Sequence, residues 1–423
     1  MSNILTNPGN SGTTGISLKQ NMFWNSFGSL VYLGCQWLMT VLIVRLSHGY
    51  DAAGMLALGM SVYNTFSPLA LYRMYTYQVS DVTHENSVGE YLSFRIITCS
   101  LALICIVLYS VVTCVSDSWP VIVAFSLYKI ASLLIDVLHG LDQQNNRMDY
   151  VGRSLAMQGA VSLVLFCVIQ IAFNRLEWTL ASRVIGVVLV GLFYDFPRSR
   201  VFEPVTLGIS RQKVTHLLRY CLPIVVGAIA CGAAPSIPRQ ILAGIDGQNA
   251  LGIYASVAAP VTIIQMGASY IYNPLLGYFS KAYADRDLRY LAALLGKASL
   301  GIIVLGVVFA ILFQLFGEAL LAIMYGETIV PYLYLMMPMI ACSLVTAYVW
   351  FLNDILVAFR DFRGSVIGNI LAVFLSVPSS VLLIQVFGMN GVSFAHFISY
   401  GVSALVMLGF LLRLFRKTEP AQS

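Results

Sequence analysis

Apolar runs of about twenty residues, separated by short charged or polar breaks, recur along the whole chain. Twelve can be drawn, near residues 22–44, 52–72, 93–115, 119–139, 154–174, 178–195, 220–243, 251–278, 294–316, 329–352, 365–386 and 391–412. A helix needs about 20 mostly apolar residues to cross a bilayer, so each run predicts one membrane span. No segment alternates apolar and polar residues with the period of a strand, and lipid cannot satisfy an unpaired backbone group. The spans are therefore expected to be α-helices. The sixth run is the shortest, and the tenth carries Pro331 and Pro338. The seventh and eighth carry Pro223, Pro235, Pro238, Pro260 and Pro274, each of which removes a backbone hydrogen bond and bends a helix.

Charge placement tests the span count. With the N-terminus inside, 19 of the 24 Lys and Arg residues fall on the inner side. Four fall outside (Arg45, Arg175, Arg183 and Arg239), and Lys129 lies within a span. One missed helix would invert every later loop, so this bias supports twelve spans with both termini cytoplasmic. Residues 1–20 are polar and lack the pattern of a cleaved signal peptide, and the first span is expected to serve as its own insertion signal.

Composition agrees. Of 423 residues, 58% are hydrophobic and only 10% are charged, against about 25% charged in soluble domains. This excludes a soluble multidomain protein, and aromatics at 12% exclude a disordered one. The net charge of +5 is no sign of nucleic-acid binding, because the basic residues sit in short loops between apolar runs. The eight cysteines include no CxxC pair and read as small buried hydrophobes.

The longest polar loop splits the chain into two sets of six spans. The expected organisation is a cytoplasmic tail over 1–20, an N-lobe over 21–195, a basic cytoplasmic linker over 196–219, a C-lobe over 220–412 and a cytoplasmic tail over 413–423. Because six is even, duplicated halves would form parallel repeats about an axis along the membrane normal. There is weak internal similarity. Arg45-Leu-Ser-His-Gly-Tyr-Asp-Ala-Ala-Gly54-Met-Leu-Ala-Leu parallels Arg239-Gln-Ile-Leu-Ala-Gly-Ile-Asp-Gly-Gln-Asn-Ala-Leu-Gly252-Ile-Tyr-Ala-Ser, with the spacing differing by four residues.

The segment from Leu242 to Ser256, followed by an apolar helix ending Asn273-Pro274, resembles the polysaccharide-flippase branch of the multidrug/oligosaccharidyl-lipid/polysaccharide (MOP) exporter superfamily. So does Val44-Arg-Leu followed by Gly54-Met-Leu-Ala-Leu. The resemblance implies an all-α polytopic membrane protein with twelve transmembrane helices in two six-helix lobes around a V-shaped cavity. It implies a flippase that moves a polyprenyl-(pyro)phosphate-linked oligosaccharide or teichoic-acid-type precursor from the inner to the outer leaflet of the cell membrane. The partners it implies are the bilayer, that substrate and other glycan-assembly membrane proteins. It also implies that the proline-rich seventh and eighth helices line the cavity and flex.

No enzymatic apparatus is visible. The chain lacks GxxxxGK[ST], HExxH and GxSxG, and the five histidines are scattered, so neither ATP use nor a metal site is expected. No cofactor is expected, and the residues do not choose between H⁺ and Na⁺ as a coupling ion. Lys129 lies near the middle of the fourth span, where a charge must face protein or water. It is the leading candidate for meeting a phosphate. Asp136, two turns on along nearly the same face, is a candidate coupling carboxylate, about 10 Å away and too far for direct pairing. Arg45 and Arg239, at the outer ends of spans one and seven, would face each other across the cleft if the halves are repeats, and would suit a pyrophosphate. The competing reading is that each snorkels or caps a helix end. Arg73 and Arg95 read first as inside-positive anchors, with Arg73 kept as a candidate cavity cation. Gln36, Asn64, Gln158, Gln265, Gln314 and Asn369 are uncharged polar residues within spans that fit sugar contacts or helix packing. Trp24, Tyr50, Trp119, Trp178 and Tyr254 read as interface belts. Two alternatives stand beside the flippase. A drug antiporter of the same superfamily would favour cavity carboxylates, and a glycan polymerase would need a large external loop.

Overall fold

The computed structural model of the chain describes residues 17–47, 49–81 and 85–418; most of the N-terminal tail, His48, His84 and residues 419–423 lie outside the described residues. Among the described residues, twelve long helical segments follow one another. They are α1 (Leu18–Leu46), α2 (Asp51–Leu71), α3 (Val88–Thr113), α4 (Trp119–Gln144), α5 (Met148–Phe173) and α6 (Leu176–Phe202), then α7 (Arg211–Ile245), α8 (Gly247–Ala284), α9 (Leu288–Tyr325), α10 (Glu327–Ala358), α11 (Phe362–Phe387) and α12 (Met389–Thr418). Each covers one of the twelve apolar runs, to within two residues at the end. A short helix, Met74–Ser80, follows α2. Regular structure among the described residues is entirely helical.

The starts and stops follow local chemistry. Ser17 and Ser210 accept the backbone N–H groups of Gln20 and Lys213 at the starts of α1 and α7. Ser87 and Glu90 form a reciprocal capping box at α3. Gly326 and Gly388, with φ of 96° and 55°, turn the chain after α9 and α11, where a side chain would be strained. The prolines act unequally. Helix α7 runs unbroken through Pro223, Pro235 and Pro238. Helix α8 is interrupted at Thr262, just after Pro260, and passes through a 3₁₀ turn, Asn273–Leu275, that holds Pro274.

Eleven crossings are long and apolar enough to span a membrane by length and composition; α2 falls outside that set. The reason is its place. It packs against α7 and α8 of the second half as well as α3 and α4 of its own, so it meets protein more than lipid and needs less hydropathy. The outer helices show the opposite. Val112, Phe193, Ile323, Phe374 and Val386 are each more than 70% exposed, a surface that only lipid can cover. The chain is a multi-pass membrane protein. Gly364 and Gly368, spaced GxxxG, sit against Phe410 and Met407 of α12, so this motif packs helices within one half. All eight cysteines are free, and each is buried or half-buried.

The two halves meet along a seam between α2 and α7. Ser61 donates to the Ser236 carbonyl at 2.8 Å and accepts from Gln240 at 3.2 Å. They close again at the end of the bundle opposite the termini. There a Cβ built on Gly54 would lie 1.8 Å from the Gln248 carbonyl oxygen, and one on Gly252 would lie 2.0 Å from that of Tyr50. Each glycine thus abuts the residue four positions before the other. This reciprocity is what a two-fold relation between α2 and α8 produces, and it involves the two glycines of the sequence similarity. Tyr50 and Tyr254, expected in lipid belts, are instead buried, Tyr50 against Thr328 and Tyr254 against Ser393.

Candidate functional site

Two charged layers cross the first half. The one nearer the α2–α8 crossing joins α1, α4 and α6. Arg183 lies on the seventh residue after the start of α6 and is 2% exposed. Its Nη2 donates to Gln36 Oε1 at 2.5 Å, and Gln36 Nε2 donates to the Tyr128 hydroxyl at 2.6 Å. Tyr32 hydrogen-bonds the same hydroxyl at 3.1 Å. The guanidinium carbon of Arg183 stands 3.8 Å from the centre of the Tyr128 ring, and Lys129 Nζ stands 5.4 Å from that centre and 5.8 Å from the centre of Phe125. Lys129 and Arg183 are thus neighbours around one aromatic ring. Among the described residues neither forms an ion pair, Lys129 makes no hydrogen bond, and Arg183 Nε is buried without a partner. A pair of cations in a low-dielectric interior is expensive unless a negative charge joins them. Donors of this type suit a phosphate or pyrophosphate, and the flanking tyrosines and Gln36 suit sugar hydroxyls.

The second layer lies toward the end that carries the termini. Arg95 is fully buried, donates to the Ala70 and Leu71 carbonyls at 3.2 and 2.6 Å, and pairs with Asp136 at 3.3 Å. It ties the end of α2 to α4, a stronger role than the membrane anchor expected for it. Asp136 pairs with Arg95 and not with Lys129, as the helical separation required.

The structure does not bring Arg45 and Arg239 together. Arg45 reaches across to the second half and donates to the Ala322, Ile323 and Met324 carbonyls at 3.0, 2.6 and 2.9 Å. These carbonyls lie at the C-terminal end of α9, where the helix dipole favours a cation; that of Ala322 also accepts from the Gly326 backbone N–H at 2.8 Å. Arg239 is half-buried inside the second half, its charge near Tyr254, Cys342 and His396. The four-residue difference in spacing is more than one helical turn, so the two arginines are not equivalent in depth or direction. Arg73 is exposed, sits in the left-handed region with φ 57°, and has Asp354 of α10 within electrostatic reach.

Arg183 was missed at the sequence level because it was counted with the outer loop. The signal was available, since it lies inside the sixth apolar run. Gln36 and Tyr128 were readable only as polar or aromatic positions within spans, because their meeting depends on packing between residues 92 apart.

No protein-family model matches the chain. It is 23% identical over 298 residues to the capsular polysaccharide biosynthesis protein CapF of Staphylococcus aureus, covering 69% of this chain and 74% of that protein. Its fold is that of solved MOP-superfamily transporters. An inward-facing multidrug resistance MATE transporter matches with a TM-score of 0.69 at 14% identity, over 96% of this chain and 100% of that one. The lipid II flippase MurJ in an inward closed conformation matches with a TM-score of 0.69 at 11% identity, over 95% and 89%. An outward-facing MATE structure matches at 0.55, with 15% identity, over 95% and 97%. The fold agrees with the MOP-superfamily resemblance, and the relative is a capsular polysaccharide biosynthesis protein.

Proposed function

We propose that this chain is a flippase that carries a polyprenyl-(pyro)phosphate-linked oligosaccharide or teichoic-acid-type precursor from the inner to the outer leaflet by alternating access. The observation that carries the reading is the Lys129–Arg183 pair, a half-buried lysine beside a buried arginine, neither in an ion pair among the described residues. Cationic drugs would be repelled by this pair, so it argues for an acidic cargo. The capsular polysaccharide role named for CapF and the lipid II flippase name of MurJ agree with that choice.

The geometry supports a reading as a sequence of states. The termini face the cytoplasm, and the α2–α8 crossing is the outer gate, closed here by Gly54, Gly252 and the Arg45 cap on α9. The headgroup enters from the cytoplasmic leaflet and displaces the cost of the unpaired cations, while the polyprenyl tail stays in lipid. The lobes then rock about the α2–α7 seam, the crossing parts, and the headgroup leaves outward. Helix α8, already broken after Pro260 and at Pro274, is the bending element. Asp136, neutralised by Arg95, does not oppose the anion.

Purified protein in vesicles loaded with a fluorescent polyprenyl-pyrophosphate glycan decides it. The expected result is movement between leaflets that is lost in Lys129→Ala and Arg183→Gln. No movement by the unaltered protein, with or without an ion gradient, refutes the proposal.

A further inference from the structure

The charged layer nearest the cytoplasm contains a group that the anion site does not use. Asp136, His139 and Asp142 recur every three residues on α4, so they follow one slowly turning stripe toward the termini. His139 Nε2 lies 3.3 Å from Asp195 Oδ1, and Asp195 Oδ2 accepts from Ser154 Oγ at 2.8 Å. Ser154 in turn accepts from Gln158 at 3.0 Å. Asp195 ends a π turn, Gly191–Asp195, a local widening of the kind that re-aims a side chain at functional sites. Asp142 is 1% exposed, and neither of its carboxyl oxygens has a hydrogen-bond partner. It faces His139, Asp195, Asp149 and Arg147.

Counting charges isolates Asp142. Arg95 neutralises Asp136, and Arg147 holds Asp149 through two bonds of 2.8 and 3.0 Å. What remains is two carboxyl groups, Asp142 and Asp195, against one imidazole. His139 with both nitrogens protonated balances Asp195, its direct partner. Among the described residues nothing balances Asp142, and the surrounding elements add no further cation in contact with it. Helix α2 contributes no charged side chain here, and Met74–Ser80 contributes Tyr75, whose hydroxyl donates to Gln143 at 2.5 Å. Arg153 and Arg198 face Tyr194 on the far side of Asp195. An unpaired carboxylate buried this deeply is untenable, whereas the same group carrying a proton is neutral.

We propose that Asp142, lying beside the His139–Asp195 pair, is a proton-binding site and that its loading and release couple export to the proton gradient. Protons reach it past Asp136, whose side chain is 30% exposed, and leave toward the cytoplasm past Arg147, which is 14% exposed. Buried chains of Asp and His in membrane spans serve proton relay in transporters generally. The coupling role rests on the transporter reading above; the proton site itself does not.

Two measurements on the full-length protein test this. In detergent at neutral pH, infrared difference spectroscopy is expected to show the carbonyl stretch of a protonated carboxylic acid, lost in Asp142→Asn and kept but shifted in Asp142→Glu. In vesicles, an imposed pH gradient is expected to speed glycan movement by the unaltered protein and not by Asp142→Asn, whose gradient-free exchange stays within about twofold of normal. A band that survives unchanged in Asp142→Asn overturns the site. Equal acceleration of both proteins by the gradient overturns the coupling. If no protein moves glycan, the flippase reading fails, and the infrared result still decides the proton site.

Discussion

Substituting alanine for Gly54 is expected to hold the outer gate open. The added Cβ would lie 1.8 Å from the Gln248 carbonyl oxygen and 3.0 Å from the Gly252 nitrogen, both backbone atoms that cannot swing aside. Ordinary contact begins at 3.4 Å, so α2 and α8 must part by about 1.6 Å at the crossing. Such overpacking costs about 1–3 kcal/mol, and the cost falls only on the closed state. A penalty of that size shifts the closed-to-open ratio by about 5- to 150-fold. Gly34→Ala is the control, because nothing lies within 4 Å of a Cβ built there. Spin labels at Arg175 and Phe387, exposed residues at the outer ends of the two halves, report the gate distance by pulsed electron resonance in a cysteine-free background. The short-distance population should dominate in the unaltered protein and in Gly34→Ala, and should shrink severalfold in Gly54→Ala. Identical distance distributions in all three would refute the reasoning, because they would mean that the crossing absorbs a side chain without parting.

Other consequences follow from the same contacts. Arg45→Lys replaces a planar fork that satisfies three carbonyls with a single ammonium, so the gate should loosen by about 1–2 kcal/mol, read with the same labels as a smaller shift than Gly54→Ala gives. Arg95→Met leaves Asp136 without its cation and the Ala70 and Leu71 carbonyls without a donor; thermal unfolding in detergent should show a loss of about 3 kcal/mol, largely restored by adding Asp136→Leu. Lys129→Arg should retain most transport and Lys129→Glu should abolish it, measured as initial rates of glycan movement, because the site needs a positive charge more than a particular shape.

Much of the architecture was legible because membrane insertion makes it so. The apolar runs that became α3 and α9 are unambiguous, and the uneven placement of Lys and Arg along the loops predicts their direction. The reading drew α7 and α9 shorter than they are, since both helices run on beyond the apolar window at each end. The site was only half legible. Lys129 stands out because a charge at mid-span needs an explanation. Arg183 does not, because near a span end an arginine is usually an anchor. The internal similarity drew attention to its arginines, yet its glycines form the contact, since close approach of two backbones leaves no mark except a missing side chain. His139 looked like one of several scattered histidines, and its partner Asp195 lies 56 residues away, a pairing that only the packing of α4 against the π turn creates.

The central claim is that Lys129 and Arg183 together hold an acidic headgroup, and binding of a short prenyl pyrophosphate tests it most directly. Farnesyl pyrophosphate titrated into purified protein, followed by tryptophan fluorescence or native mass spectrometry, should bind saturably and more tightly than farnesol. Affinity should fall about tenfold or more in Lys129→Ala and again in Arg183→Gln, the loss of one charge-assisted contact each. Equal binding of the pyrophosphate and the alcohol, or affinities indifferent to both substitutions, would contradict the account.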